Sequence, residues 1–323
     1  MHKPITLPRL RALNPGSSRL LTTGVVGLLG VGLHLPGRQV RFDVQGWEQL
    51  PDAPCVLVAN HTHWIDWIAL RWVAWWRGRT LCNWVKPRTY EEGYAQFLDK
   101  TGNLPVVSRG YLISADVRAV AGRAPTEEEY RALRNHLDHG TALPDTPLMQ
   151  RLQSESRDVL GLRFRAWEQG YREFLEDLFY QMMQATLTHT RTLCDLGIDL
   201  QIMPQGVTSQ RLTQGHPGAL QAALALDLPI VPIGVNGFPQ AFGKGATFPE
   251  HGGTVTIRVG TPYRPTPLPE HRPFHPASER AHQRELKAGT EAMMDRIAAL
   301  LDPEHGPADS EAEADVQGVA RFV

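Results

Sequence analysis

Cysteine is scarce in this chain of 323 residues, which contains only three. Cys55, Cys82 and Cys194 stand far apart in the sequence, and none belongs to a CxxC pair. Disulfide frameworks and cysteine-ligated zinc sites depend on several cysteines at short, regular spacings. The sequence therefore argues against both, and a reducing compartment is the simpler setting for such a chain.

An excess of charge of either sign is also missing, since 33 basic side chains nearly balance 34 acidic ones. We expect no nucleic-acid partner, because a general nucleic-acid binder presents a strongly basic surface. The two ends of the chain nevertheless differ. Residues 1–42 hold six basic and no acidic residues, whereas residues 302–323 hold six acidic residues and one basic residue. The basic leader suits an anionic membrane surface, and a simple solvated leader is the alternative.

No apolar run reaches the length of about 20 residues that a membrane-spanning helix needs. Residues 20–35 come closest, but four glycines interrupt them. We therefore predict that residues 1–38 form a basic leader and an apolar membrane-interacting segment, peripheral or re-entrant, on the cytoplasmic face of a membrane. A buried core helix is the alternative. Residues 301–323 are acidic and poor in large apolar groups, which predicts a disordered tail.

The remainder of the chain has the composition of a globular protein, with 42% hydrophobic and 21% charged residues overall. Short β-rich apolar runs alternate with helical patterns along it. The predicted strands are residues 39–44, 55–59, 81–85, 104–107, 198–203, 229–235 and 254–259, and the predicted helices include residues 63–76, 218–226 and 277–301. This alternation predicts an α/β fold over residues 39–300, with a mixed, mostly parallel central sheet flanked by helices. The alternating sequence of residues 254–259 is typical of an edge strand.

Residues 110–170 differ in character from their surroundings and predict a helical insertion. The sequence from Thr126 to Glu129 fits a capping box, and Gly140 would end the helix that it starts. A second helical pattern extends from about residue 157 to residue 193. Its apolar stripe, which predicts a side that faces the core, consists of Trp167, Tyr171, Phe174, Leu178 and Met182.

The sequence from Asn60 to Asp66 lies where a buried strand gives way to a helix. His61 and Asp66 are five residues apart, so on one regular helix they would be separated by about 140° and would not share a face. They can meet only if His61 lies in the loop before the helix and Asp66 in its first turns, with Asn60 or Thr62 as the cap. Asp66 would then fix the imidazole tautomer, and His61 would act as a general base toward a hydroxyl.

Two other interpretations of these residues stay open at this point. His61 can be a capping histidine beside a solvated Asp66. Alternatively, His61, His63 and Asp66 resemble the first ligand set of metallo-β-lactamase-like hydrolases. In those enzymes the acid stands two residues after the second histidine, whereas here it stands three residues after it.

Two further stretches contain residues suited to binding an anion. A short strand is predicted to end at Arg109, which would place a guanidinium at the carboxyl edge of the sheet. A guanidinium can bind two phosphate oxygens at once. The second stretch runs from Pro204 to Ser209, where Gly206 would let backbone N–H groups approach an anion. Pro232, inside a later apolar strand, predicts a local irregularity near a site.

Together and in this order, these features resemble the glycerolipid acyltransferase family, typified by lysophosphatidate acyltransferases. The resemblance covers residues 39–109 and 170–263. It implies transfer of a fatty acyl group from acyl-CoA or acyl carrier protein, as co-substrate, to the hydroxyl of a membrane glycerolipid, with no bound cofactor and no metal. It also implies that His61 and Asp66 are catalytic. The implied substrate-binding residues are Gly102, Asn103, Arg109, Pro204, Gln205, Gly206, Thr208, Ser209 and Arg211.

The chain departs from the family pattern in its third motif, where the family carries Glu followed by Gly-Thr-Arg. Here the acid is replaced by Gln205 and the arginine by Thr208, and Arg211 becomes the candidate replacement for the missing guanidinium. The second motif is one residue longer, and the insertion separates it further from the third. The implied acceptor is therefore a lysophospholipid or related glycerolipid, not lysophosphatidate specifically. A catalytically silent lipid-binding relative and a metallo-hydrolase are the alternatives.

Overall fold

The computed structural model describes residues 4–16, 21, 24, 27, 37–91, 98, 100–243, 245–246 and 248–307. Most of the predicted membrane-interacting segment, residues 20–35, lies outside the described residues, as does the predicted disordered tail beyond residue 307. In the described part of the leader, Leu7–Arg11 form a short helix, α1, whose apolar side chains Leu7 and Leu10 are buried. Among the described residues, no helix is both long enough and apolar enough to cross a membrane.

Within the described residues, seven strands form the central sheet: β1 (Val40–Gln45), β2 (Val56–Ala59), β3 (Leu81–Val85), β4 (Asn103–Pro105), β7 (Asp199–Ile202), β8 (Ile230–Asn236) and β9 (Gly253–Val259). Two more, β5 (Arg157–Val159) and β6 (Leu162–Phe164), form a separate antiparallel hairpin. The order across the central sheet is β1-β9-β8-β2-β7-β3-β4. The strands from β8 to β4 in this order are parallel, β9 is antiparallel to β8, and β1 is parallel to β9. The predicted mixed, mostly parallel sheet is confirmed.

The remaining helices of the described chain are α2 (Asp66–Trp76), α3 (Pro87–Glu91), α4 (Arg109–Ala121), α5 (Glu127–His139), α6 (Pro147–Ser154), α7 (Tyr171–Asp195), α8 (Gly218–Leu226), α9 (Phe238–Phe242), α10 (Pro276–Ala281) and α11 (Gln283–Ala298). Short 3₁₀ turns lie at Trp47–Gln49 and Pro303–His305. The helix predicted at residues 218–226 has its predicted bounds.

Helices cover both faces of the sheet, and β2 illustrates how. Successive side chains of a strand point to opposite faces. Val56 and Val58 join an apolar cluster with side chains of α4, α7 and α8, whereas Leu57 and Ala59 join a second cluster with side chains of α2 and α9. The strand is buried on both faces, which is why its sequence is a continuous apolar run.

The strand predicted at the sheet edge, residues 254–259, is not an edge strand. β9 lies between β8 and β1, because β1 pairs along its outer side. Its alternating sequence arises because Val255, Ile257 and Val259 are buried while their neighbours are more exposed. An alternating pattern predicts that one face of a strand is buried and the other more exposed. It does not predict whether another strand pairs along its side.

Pro232 is accommodated in β8 without a break in its pairing with β2, where it lies opposite Val58. Pairing of β8 with β9 begins only at Ile233. Backbone bonding on that side continues past β9, since the carbonyl of Pro232 accepts from the N–H of Gly260 at 2.9 Å and Ile230 pairs with Tyr263. β8 is unbroken from Ile230 to Asn236, so the proline only removes one N–H donor and does not interrupt the strand.

The insertion, predicted as helical at residues 110–170, contains α4, α5 and α6 followed by the β5–β6 hairpin. The predicted capping box forms at the start of α5. The side chain of Thr126 accepts from the N–H of Glu129, and the carboxylate of Glu129 accepts from the N–H of Thr126. Gly140 follows the helix with a φ of 71°, the left-handed geometry that ends many helices.

The long helix α7 begins at Tyr171 and not near residue 157, which corrects the second helical prediction. Leu160 and Gly161, with φ values of 51° and 86°, form a two-residue loop that turns the chain from β5 into β6. Two positive φ values are typical of a tight hairpin turn. Trp167 consequently lies outside α7 and is 75% exposed, while the other members of the predicted apolar stripe are buried.

The closing helix predicted at residues 277–301 is two helices, α10 and α11, separated at His282. The ring nitrogens of His282 lie 3.0 Å from the carbonyl oxygens of Ser278 and Pro269. These contacts tie the break to the segment before α10. A single helical period in the sequence does not reveal such a break.

Candidate active site

The loop that follows β2 is fixed to the neighbouring strand by Asn60. Its Nδ2 donates to the carbonyl of Val235 at 2.9 Å, and its Oδ1 accepts from the N–H of Val235 at 2.8 Å. Asn60 is fully buried, and its amide replaces the ladder bonds that β2 and β8 no longer make at that level. The edge of the sheet therefore determines where the next residue, His61, stands.

Asp66 is the first residue of α2 and gathers the loop around its carboxylate. Its Oδ2 accepts from the N–H groups of Thr62 at 2.7 Å and His63 at 3.0 Å, and its Oδ1 lies 2.7 Å from Nδ1 of His61. The positive end of the helix dipole favours a negative charge there. The predicted side-chain cap on the preceding polar residues does not form, because α2 begins later than predicted and its N-cap residue, Ile65, makes no side-chain bond.

His61 lies in the loop, so the condition for its meeting Asp66 is fulfilled. Because the carboxylate accepts at Nδ1, that nitrogen carries the proton and Nε2 keeps its lone pair. The side chain of His61 is 18% exposed, whereas that of Asp66 is fully buried. Within the described chain, the contact with Asp66 is the one hydrogen bond that the imidazole ring of His61 makes. One nitrogen is thus oriented by a carboxylate while the other is available to a substrate proton, which is the arrangement of a general base.

His63 has a different environment, although it stands only two positions away. It is buried, its Nε2 donates to the carbonyl of Gly243 at 3.0 Å, and its ring packs against Phe238 and Phe242. Burial lowers its pKa, and the bond to Gly243 partly offsets that effect. No group of three His, Cys, Asp or Glu side chains in the described parts of the chain is placed to hold a metal ion. The metal-ligand interpretation of His61 and His63 therefore has no complete ligand set there.

The turn after β7 meets the same loop and brings the first and third predicted motifs together. Oε1 of Gln205 accepts from the N–H of His61 at 2.8 Å, and the N–H of Ser209 donates to the carbonyl of His61 at 2.8 Å. Gly206 adopts a φ of 66° and is exposed, and Thr208 is half-buried. A side chain at position 206 would be strained by this left-handed geometry.

The two ends of this turn are anchored in the protein. Pro204 is buried, and its carbonyl accepts from the N–H of His216 at 2.8 Å. Arg211, the candidate replacement for the missing arginine, donates through Nη2 to the carbonyl of Pro307 at 2.7 Å. The turn is therefore joined both to the segment before α8 and to the last described residues of the chain.

Arg109 begins α4 instead of ending a strand, which corrects the strand predicted at residues 104–107. β4 ends at Pro105, and the hydroxyl of Ser108 accepts from the N–H of Tyr111 at 3.1 Å. Serine is a preferred N-cap residue because its oxygen satisfies one of the free N–H groups of the first turn. Ser108 therefore determines where α4 begins.

The guanidinium of Arg109 is surrounded by protein side chains. It bonds Asp138 of α5 at 3.2 Å, makes a second ion pair with Glu279 of α10, and lies 5.1 Å from the ring centre of Phe179 on α7. The resemblance implies that Arg109 binds the acceptor phosphate, but here two carboxylates neutralise its charge. One of them is supplied by the insertion.

Gly102 and Asn103 lie at the beginning of β4, at the opposite end of that strand from Arg109. Asn103 is buried, and its Oδ1 accepts from Nη1 of Arg71 at 3.2 Å and from Nδ2 of Asn83 at 3.3 Å. The carbonyl of Gly102 accepts from the N–H of Asn83 at 2.9 Å. These contacts place both residues within the sheet, and their part in substrate binding stays a prediction.

Sequence reasoning missed the buried Arg71 and gave Asn60 a different role, that of a helix cap, instead of its bonds to Val235. Arg71 is buried on α2, where it donates to Asn103 and to the carbonyl of Thr101, and burial lowers its pKa to about 10. The sequence feature that could have indicated a buried role for Arg71 is its position in the middle of an apolar, tryptophan-rich helix. For Asn60 that feature is an amide directly after a buried strand.

Large aromatic side chains are exposed on the segments around this loop. Trp64 is 45% exposed, and its indole N–H donates to the carbonyl of Gly245 at 3.3 Å. Phe248, in the same connection between α9 and β9, is 53% exposed. An exposed tryptophan with its N–H bonded suits a boundary between water and an apolar phase.

A family model described as Acyltransferase matches residues 41–105. These residues are similar to the acyltransferase family. This segment includes the paired His61 and Asp66 as well as Gly102 and Asn103. The match confirms the predicted resemblance to the acyltransferases over these residues and supports the prediction that the chain is an acyltransferase.

A solved structure similar to the chain is that of PlsC, the 1-acyl-sn-glycerophosphate (LPA) acyltransferase from Thermotoga maritima. The two share 12% identical residues with a TM-score of 0.40, and the similarity covers 87% of this chain and 78% of that one. No curated protein sequence matches the chain.

Proposed function

We propose that the chain is an O-acyltransferase that moves a fatty acyl group from acyl-CoA or acyl carrier protein to the hydroxyl of a lysophospholipid or related glycerolipid. The observation that carries this proposal is the 2.7 Å contact between Nδ1 of His61 and Oδ1 of Asp66. It leaves Nε2 of a half-buried imidazole available, in a loop anchored to β8, α2 and the turn after β7. The acyltransferase match over residues 41–105 supports the reaction class.

The geometry supports direct transfer with His61 as the proton carrier. Nε2 removes the proton from the acceptor hydroxyl as its oxygen attacks the thioester carbonyl. The tetrahedral intermediate then collapses, the carbon–sulfur bond breaks, and the imidazolium returns the proton to the departing thiolate. Asp66 stabilises the imidazolium between these two steps, and no cofactor or metal is required by this sequence of events.

The turn after β7 is proposed to contact the acceptor because it reaches the backbone of His61. Its exposed Gly206 and half-buried Thr208 are the parts available to a ligand. Ser209, Pro204 and Arg211 would support that surface from within the protein. Arg109 would contribute to a phosphate only after exchanging one of its carboxylate partners for it.

A membrane is the proposed source of the acceptor, with the protein peripheral or re-entrant on the cytoplasmic face. The exposed Trp64 and Phe248 support this, since aromatic side chains are favoured at the membrane–water interface. The basic leader within residues 1–38 would add attraction to anionic lipids.

The test is release of free thiol from palmitoyl-CoA in detergent, with a panel of lyso-lipid acceptors. We expect acceptor-dependent release that falls at least about 100-fold in His61→Ala, because loss of a general base removes that much rate. His139→Ala, at an exposed histidine that ends α5, is the matched control and should retain full activity. Normal transfer by His61→Ala would refute the mechanism. The assay is repeated with a palmitoyl thioester of acyl carrier protein. If neither donor supports release but the chain still binds lyso-lipid, it is a silent lipid-binding relative.

A further inference from the structure

Gln205 is buried, with 1% of its surface exposed, and the protein uses both ends of its side-chain amide. Oε1 accepts from the N–H of His61 at 2.8 Å. Nε2 donates to Oγ1 of Thr213 at 3.1 Å and to the carbonyl of Arg211 at 3.4 Å. Both N–H donors of the amide are therefore engaged within the protein, and none is left for an acceptor phosphate.

The bond from Gln205 is one half of a clamp on the backbone of His61. The other half is the N–H of Ser209, which donates to the carbonyl of His61 at 2.8 Å. Asp66 separately orients the imidazole ring through Nδ1. The position of Nε2 therefore depends on two constraints, one that the turn after β7 places on the backbone and one that α2 places on the ring.

We propose that Gln205 is a positioning residue that holds the backbone of His61 where Nε2 reaches the acceptor hydroxyl, and that it does not bind the acceptor. This inference rests on the proposed acyl transfer. It replaces the substrate-binding role that the family resemblance implies for Gln205. The turn after β7 then has two parts, a buried one that positions the base and an exposed one at Gly206.

A glutamine satisfies this position better than a glutamate does. A carboxylate at position 205 would still accept from the N–H of His61, but it has no proton for the carbonyl of Arg211. Two acceptors would then face each other in a buried place, which is costly. Only the protonated form of a glutamate supplies the missing donor. Gln205→Glu should therefore perform best, relative to the unaltered chain, at low pH.

Other titrating groups near this amide have to be separated from its effect by a control. The ionisable side chains on the segments that contact this amide are His61, His63, Asp66, Arg211, His216 and His305. All of them are present in both proteins, but a new carboxylate favours the protonated form of any imidazole near it. A variant with a new carboxylate elsewhere on the same turn measures that general effect of charge, and the comparison is made against it at each pH.

The experiment measures kcat and the acceptor KM for Gln205→Met and Gln205→Glu, with Gln210→Glu as matched control. Gln210 is exposed on the same turn, so its replacement adds the same charge away from the amide of Gln205. We expect kcat to fall about 10- to 100-fold at pH 8 in both Gln205 variants, since a displacement of about 1 Å can cost that much. The acceptor KM should stay within about three-fold, and the relative rate of Gln205→Glu should rise toward pH 5.5.

A raised acceptor KM at unchanged kcat would assign Gln205 to acceptor binding and overturn the proposal. A second readout does not depend on turnover, namely the nitrogen NMR signals of the histidine rings. We expect Gln205→Met to shift or broaden those of His61 and to leave those of His139 in place, and unchanged His61 signals would also overturn the proposal. If the unaltered chain transfers no acyl group, the proposed function fails while this NMR comparison still decides the role of Gln205. Gln205→Asn, which keeps an amide, replaces the methionine variant if that one does not fold.

Discussion

His63 differs from its neighbour His61 because of burial. His63 is 3% exposed and donates through Nε2 to the carbonyl of Gly243. Burial lowers its pKa, with repulsion from a charged His61 acting in the same direction. The bond to Gly243 and the charge of Asp66 oppose the shift without cancelling it. The folded protein therefore keeps His63 neutral at a pH where an unfolded chain would begin to protonate it.

We expect His63 to make the free energy of unfolding fall as the pH is lowered through about 6.5. In that range the unfolded chain binds a proton at His63 that the folded chain does not, so stability rises with pH. The contribution is complete above the unfolded-state pKa and is lost as the pH falls below it. His63→Gln keeps a donor for Gly243 and should lose less stability than the unaltered chain between neutral and mildly acidic pH, as measured by urea unfolding.

The control for this comparison is His139→Gln, because His139 is exposed. It should lose as much stability on acidification as the unaltered chain does. An equal loss in His63→Gln would mean that the folded protein protonates His63 freely, which contradicts its burial.

At this scale, the sequence could predict the pairing of His61 with Asp66 because the break in the apolar pattern at Asn60 put His61 in a loop. The bonds from Asn60 to Val235 and from Gln205 to His61 join residues 175 and 144 positions apart. No local pattern contains such a contact. The role of Gln205 was therefore assigned by resemblance, and only the folded arrangement reveals how its amide is used.

Among the elements, Arg109 links four helices at one point. It stands at the start of α4, pairs with Asp138 near the end of α5 and with Glu279 on α10, and covers the ring of Phe179 on α7. The side chains of Arg109, Asp138 and Glu279 are 19%, 22% and 17% exposed. Partly buried ion pairs of this kind are costly to break on one side, because a remaining charge loses its partner. Without Arg109 that charge is Glu279, since Asp138 keeps its ion pair with Arg134 at 2.6 Å.

We expect Arg109→Ala to lower the free energy of unfolding by about 1–3 kcal/mol, between the values for exposed and fully buried ion pairs. Adding Glu279→Gln should restore part of the loss, since it removes one unpaired carboxylate. Urea unfolding of both variants checks this. Arg131→Ala is the control, because its pair with Glu127 is largely exposed and should be worth less than about 0.5 kcal/mol.

Unchanged stability with a changed KM would instead indicate that Arg109 binds the acceptor. If Arg109→Ala keeps its stability but raises the KM for phosphate-headed acceptors alone, the two carboxylates are replaceable partners and the guanidinium binds phosphate. The structural role and the binding role thus separate in two measurements on one variant.

Local sequence was sufficient for the elements whose boundaries are set by neighbouring residues. The capping box at Thr126 and the helix Gly218–Leu226 are of this kind. It was insufficient where an element is defined by its partner strand. The outer neighbour of β9 is β1, from the other end of the domain, and β5 is a strand only because β6 folds back on it.

Across the whole molecule, the candidate site lies beyond the carboxyl ends of three adjacent strands. His61 follows β2, Gln205 follows β7, and Asn60 bonds to β8, and these strands are neighbours in the sheet. Ligands of open α/β sheets bind at that edge. The opposite edge is closed by Asp199, which pairs with Arg79 at 2.6 Å and accepts from the N–H of Cys55 at 3.0 Å. One edge is thus built for stability and the other is available for chemistry.

The reactivity of the three cysteines measures how often the core of the folded chain opens. Cys55, Cys82 and Cys194 are all free and buried. Burial raises the pKa of each thiol, that of Cys194 to about 12, and the carboxylate of Asp199 adds to the effect. A thiol in such surroundings supplies almost no thiolate, which is the reactive form. The folded chain should therefore be nearly inert toward thiol reagents.

We expect a disulfide-exchange reagent at pH 8 to release far less than one equivalent within minutes from the native chain, and three equivalents once guanidinium has unfolded it. Since opening of the core has to precede reaction, the slow native rate measures that opening and should rise in Arg109→Ala. The same inertness means that thiol released in the palmitoyl-CoA assay comes from the donor and not from the protein. A rapid stoichiometric burst from the native chain would contradict the burial of these cysteines and would require that background to be subtracted before any acyl transfer is assigned.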